Sequence, residues 1–159
     1  MNTSKRWHVA AWPPLAWLET AIKLLALALG IAALLRALAA GGLTLPTGPT
    51  LLQFLILLLL SLGLIAAIFD RLAGREIIAM IFVLLNNLGH WGMTLALAAG
   101  VTAPVALFAA LMLLGDLVKI LFIRRHSFTV RGYSPALLYG LTSTYILGYA
   151  ALLLLEWLK

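Results

Sequence analysis

The stretch TLLQFLILLLLSLGLIAAIF, residues 50–69, runs for twenty residues without a charge. About 20 apolar residues in a helix, rising 1.5 Å each, match the roughly 30 Å hydrocarbon core of a bilayer. Four further stretches share this character, at residues 12–40, 77–99, 104–123 and 135–158. With 64% hydrophobic residues and a mean hydropathy of +1.11, the chain has too little polar surface to cover a water-soluble globule. The expectation is an all-α polytopic membrane helix bundle, one domain over 1–159 with five transmembrane helices. Apolar runs also occur as buried helices of soluble proteins, but five in succession with so few charges do not fit that reading. Pro13 and Pro14 fall in the first turn of span one, where missing N–H groups cost little. Residues 41–49, rich in Gly, Pro and Thr, make a turn.

Charge sets the expected orientation. Basic residues cluster before span one (Lys5, Arg6), between spans two and three (Arg71, Arg75) and between spans four and five (Arg124, Arg125, Arg131). The other connections are nearly uncharged, so the three basic regions share one side of a five-span chain. The positive-inside rule makes that side cytoplasmic, with the N-terminus inside and the C-terminus outside. Trp12, Trp17, Tyr133 and Trp157 fall near the predicted boundaries, as an aromatic belt requires. Lys5, Arg6, an apolar run and the triplet 37–39 imitate a cleaved signal peptide. Glu19 and Lys23 interrupt the approach and Arg36 lies beside the supposed cleavage point, so a retained first helix is the better reading. A bacterial-type inner (plasma) membrane is the expected location.

The +6 net charge does not point to nucleic acid, because the basic residues sit at span ends, where orientation and anionic lipid headgroups account for them. Arg124, Arg125 and Arg131 are the candidates for contact with lipid phosphate, and otherwise serve as an ordinary anchor. The absence of cysteine removes disulfides, thiolate metal sites and cysteine nucleophiles. No H-E-x-x-H, P-loop or G-x-S-x-G is present, and no catalytic residue is assigned.

Charged side chains inside a span cost at least about 2.5–3.5 kcal/mol each on the insertion scale, so each calls for a partner or a purpose. Glu19 and Lys23 lie one turn apart in span one, and Asp116 and Lys119 repeat the pattern in span four. Counted from the span ends, all four lie roughly 7–13 Å deep, and Thr142, Ser143, Thr144 and Tyr145 of span five roughly 10–16 Å. Three spans thus place polar groups in one layer of the cytoplasmic half. In the structural reading each acid neutralises the base of its own helix, and the hydroxyls bond to their own helix carbonyls. In the functional reading the layer is a cytoplasm-facing pocket, with Asp116 and Glu19 as cation or proton sites and Lys23 and Lys119 tuning them.

A second cluster lies near the middle of span three, Asn86-Asn87-Leu88-Gly89-His90-Trp91-Gly92. Asn86 and His90 share a face, and Gly89 and Gly92 let a neighbouring backbone or a flat ligand approach. Glue between helices is the first reading, the lining of a solute or proton path by Asn86, Asn87 and His90 the second, and haem or pigment ligation by His90 the third. A bis-histidine haem lacks a second imidazole at that depth, since His8 and His126 flank the spans, and no cofactor is expected. Gly140, Thr144 and Gly148 form a ridge for packing, in this bundle or against another subunit, while span two is expected to face mostly lipid. The function expected is a solute or ion transporter or permease component, as a homo-oligomer or with partner subunits. The alternative is a non-catalytic accessory subunit of a larger membrane complex.

Overall fold

A computed structural model describes residues 12–75, 77–127 and 133–159. Lys5, Arg6, His8, Glu76 and Arg131 lie outside them. The described residues form five helices, α1 (Pro14–Ala40), α2 (Gly48–Ala73), α3 (Ile77–Ala98), α4 (Val105–His126) and α5 (Pro135–Trp157). All five are long and apolar enough to cross a membrane.

Local chemistry fixes the ends. Proline stands in the first turn of α1, α2 and α5, where its fixed φ suits the helix and its missing N–H is no loss. The Ser134 hydroxyl accepts from Leu137 N–H at 3.1 Å and caps α5. Gly41 closes α1 in the left-handed region, at φ 69°. Two boundaries differ from the sequence reading. The expected linker at residues 70–76 continues as helix through Ala73, which puts Asp70 and Arg71 on α2. The last turn of α4 likewise takes in Arg124, Arg125 and His126, where positive charge favours the helix C-terminus.

The helices pack out of chain order. α1 lies against α3 and α4, α2 against α3 and α5, and α4 against α5, which closes a ring in the order α1–α3–α2–α5–α4. Three contacts climb α1 and α3 together: Trp12 on Phe82, Gly30 on Gly89, and Thr44 N–H to the Ala98 carbonyl at 2.7 Å. Those two helices therefore run parallel. Their crossing is unusually close: a Cβ on Gly30 would lie 2.5 Å from Gly89 Cα, and one on Gly92 would strike the Gly30 carbonyl. Glycine at positions 30 and 92 lets the backbones touch, the arrangement by which apolar helices gain packing without a hydrophobic driving force. The neighbour expected for Gly89 and Gly92 is thus a backbone.

One end of the ring, which carries Asp70, Arg71, Arg75, Arg124 and Arg125, is called the basic end below. The half away from it is filled by Ala33, Ala37, Leu57, Met93, Leu97, Phe108, Met112 and Leu152. A smaller cluster of Ala16, Phe122, Ile123 and Leu138 lies at the basic end. Between the two clusters the helices leave a gap inside the ring.

Candidate functional site: a cavity in the basic half

A cavity of about 590 Å³ occupies this gap, and all five helices contribute to its wall. Along α1 it extends from Ala16 to Leu27, roughly 16 Å. Its volume falls within the range of about 300–1,000 Å³ that takes small organic ligands.

The charged side chains of α1 and α4 meet in its wall. Lys23 Nζ donates to Asp116 Oδ1 at 2.6 Å and to Glu19 Oε1 at 2.9 Å, so one ammonium bridges two carboxylates and ties α1 to α4. The approach depends on Gly115, whose missing side chain makes room for the Lys23 stem: a Cβ there would lie 3.0 Å from Lys23 Cγ. Asp116 is only 4% exposed. The expected neutralisation of Glu19 by Lys23 is present, whereas Asp116 takes its ion pair from Lys23 and not from Lys119 on its own helix. The reason is geometric, since the lysine of α1 crosses at the level of Asp116. Lys119 lines the cavity and has no carboxylate within ion-pair distance among the described residues.

Other polar residues divide between wall and packing. Asn86, Thr20, Thr142 and Tyr145 line the cavity. Thr20 and Thr142 return their hydroxyls to the Ala16 and Leu138 carbonyls, at 2.8 and 2.9 Å. Tyr145 donates to the Leu60 carbonyl of α2 at 2.8 Å, over the space left by Gly63. Ser143 and Thr144 are exposed, so only part of the hydroxyl run faces inward.

His90 and Asn87 are not among the lining residues. His90 is fully buried, with Nδ1 2.8 Å from the Asn86 carbonyl and Nε2 2.7 Å from the Tyr149 hydroxyl. A carbonyl only accepts, so Nδ1 carries the proton and Nε2 accepts from Tyr149. Both ring nitrogens are thus engaged by protein, where an axial ligand needs one free. Phe108 packs edge-on against the ring at 5.3 Å, and Tyr149 separates it from the cavity. Asn87 Oδ1 is buried with no hydrogen-bond partner among the described residues. No group of three or more His, Cys, Asp or Glu is placed to hold a metal among those residues.

At the basic end the wall includes Asp70, Arg71 and Tyr133. The Arg71 guanidinium stands over the Tyr133 ring, 4.9 Å from its centroid, and 3.9 Å from Asp70. Burial, and then the neighbouring Asp70 carboxylate, push the Tyr133 hydroxyl above the usual range for a phenol. Arg124 and Arg125 are exposed beyond the cavity, where they can meet a charged surface.

Three residues of this site escaped the sequence reading. Tyr149 carries no assigned role there, although its spacing from Tyr145 puts both on one side of α5. Asp70 and Arg71 read as linker because the apolar run stops at Phe69. Gln53, in the outer half, carries a separate link: its Nε2 donates to Glu156 at 2.9 Å and to the Leu152 carbonyl at 3.1 Å. Comparison with known protein families, curated proteins and solved structures finds no match to this chain.

Proposed function

We propose that the protein spans a membrane with its basic end on the cytoplasmic side, and that it is a small solute or ion carrier, or a permease component, whose site is the cavity. The positive-inside rule supports the orientation, and a bacterial-type inner membrane suits it. The observation that carries the reading is Lys23, held between Asp116 and Glu19 in the wall of a cavity bounded on its far side by packed side chains. A lysine in that position is a tethered cation. An entering cation or proton competes for the same carboxylate oxygens, and displacement of Lys23 loosens the tie between α1 and α4. Occupancy is thereby coupled to helix arrangement, which a carrier requires. Asp116 and Glu19 hold the ion, Lys23 returns when it leaves, and Lys119, Asn86, Thr142 and Tyr145 are in reach of the solute.

The test is reconstitution of the protein alone in liposomes, with charge movement recorded under proton and sodium gradients against a panel of small amines, amino acids, and short- and long-chain carboxylates. The expected result is a solute- or ion-dependent current that Asp116→Asn lowers about tenfold or more while helicity and elution volume are kept. That factor corresponds to about 1.4 kcal/mol. Wild-type protein silent across the whole panel overturns the carrier reading.

A second reading, as an accessory subunit, draws on the outer face of α5. A Cβ on Gly140 would meet nothing within 4 Å and Thr144 is exposed, so part of the small-residue ridge has no neighbour among the described residues. A partner helix that co-purifies in mild detergent and is lost on Gly140→Leu would favour it.

A further inference from the structure

α2 meets α5 over the smallest of the five interfaces. Its identified contacts lie toward the outer half, with Gln53 on Leu152 and Glu156, Leu60 against Gly148, and Gly63 under the Tyr145 hydroxyl. At helical spacing the stripe of α5 that continues Gly148 and Tyr145 toward the basic end is Leu141 and Leu137. The matching stripe of α2 continues from Gly63 to Ala66 and Ala67, which are too short to cover those leucines. Leu137 and Leu141 both line the cavity and remain 45% and 42% exposed. The gap they leave is bounded by Tyr145 on one side and by Arg71 stacked on Tyr133 on the other.

Lys119 supplies the complementary charge. Lys119 lines the cavity, no carboxylate of the described residues lies within ion-pair distance of it, and the two nearby acids are already shared by Lys23. Beside these charges the cavity wall also carries a set of apolar side chains, Leu64, Ala67, Phe82, Leu137 and Leu141. A polar anchor at one end and an aliphatic wall leading to a lateral gap suit a molecule with an anionic head and a hydrocarbon tail. We propose that the cavity binds a single-chain anionic amphiphile, with a carboxylate or phosphate head on Lys119 and a tail that passes between α2 and α5 at Ala67 and Leu141. This rests on the cavity being the solute site, and it names the class of solute.

The test is binding, independent of transport. Delipidated protein in a neutral detergent is titrated with oleate, with oleoyl lysophosphatidate and with oleylamine as the cationic control, and bound ligand is counted by native mass spectrometry. Acetate and inorganic phosphate are run as tailless anions. The expected result is one oleate or lysophosphatidate per chain, binding at least tenfold tighter than oleylamine. Lys119→Gln should weaken it about tenfold or more, as loss of a charge-assisted hydrogen bond does, and Lys119→Arg should restore it. Ala67→Phe, which fills the gap, should weaken both amphiphiles with helicity unchanged. Equal binding of oleylamine, or full retention in Lys119→Gln, overturns the proposal. Acetate or phosphate binding as tightly as the amphiphiles overturns the tail and leaves a free-anion site. Binding without any current in liposomes keeps this inference and removes the carrier reading.

Discussion

Lys23 reaches Asp116 at 2.6 Å and Glu19 at 2.9 Å, so a single ammonium faces two carboxylates within the bundle. Removing only the lysine leaves those carboxylates without their cation in a poorly solvated site, where breaking a buried pair costs about 3–5 kcal/mol. Lys23→Met is therefore expected to lower stability by that order, measured by thermal unfolding in detergent. The triple variant Glu19→Gln, Lys23→Met, Asp116→Asn removes the charges together and should be the more stable of the two. A triple variant as unstable as Lys23→Met would mean that packing of the lysine stem against Gly115, and not charge, is what matters. A second residue-scale expectation concerns His90. Tyr149→Phe deletes the donor that its Nε2 has among the described residues, and a buried acceptor left unmade costs about 1–3 kcal/mol. His90→Leu combined with Tyr149→Phe should recover part of that loss, because both polar partners are then gone.

At the scale of elements, the α1–α3 crossing is the tightest in the molecule for which a side chain can be tested. Gly92→Ala drives a methyl group into the Gly30 carbonyl, and backbone cannot swing aside as a flexible side chain does. Overpacking of this kind costs about 1–3 kcal/mol, and more where helices must separate. The same change at Gly140 meets nothing within 4 Å and should be nearly silent in the isolated chain. Thermal unfolding of the two variants side by side gives the comparison; equal losses would place the close approach elsewhere. The element scale also shows where a helix boundary mattered. α2 runs one turn past its apolar stretch, and that turn delivers Asp70 and Arg71 to the cavity wall.

At the scale of the whole molecule, the described residues Arg71, Arg75, Arg124 and Arg125 collect at one end, whereas Arg36 and Lys159 lie toward the other. The chain has no cysteine, so single introduced thiols report topology without background. In intact cells an impermeant maleimide is expected to label Gly42→Cys and to miss Arg125→Cys until the membrane is opened. The reverse pattern would turn the cavity mouth outward. The ring order α1–α3–α2–α5–α4 also decides which residues share the cavity. It sets Lys23 against Asp116 and leaves α2 and α5 apart below Tyr145, two facts on which the carrier and binding readings respectively depend.

Residue identity and spacing alone determined the five apolar helices, because bilayer-scale length and lack of charge are local properties that need no knowledge of neighbours. They also determined that Glu19, Lys23, Asp116, Lys119, Thr142 and Tyr145 lie at one level, since depth along a helix follows from a constant rise. Rotation about each helix and the order of helices in the ring are not local, and only tertiary structure fixed them. Apolar side chains surround these spans on nearly every face, so their pattern does not mark the side that turns inward. Hence the transfer of Asp116 from Lys119 to Lys23, the retreat of His90 behind Tyr149, and the opening between α2 and α5 emerged only from packing. Each depends on which small residue, Gly115, Gly63 or Ala67, happens to face which helix.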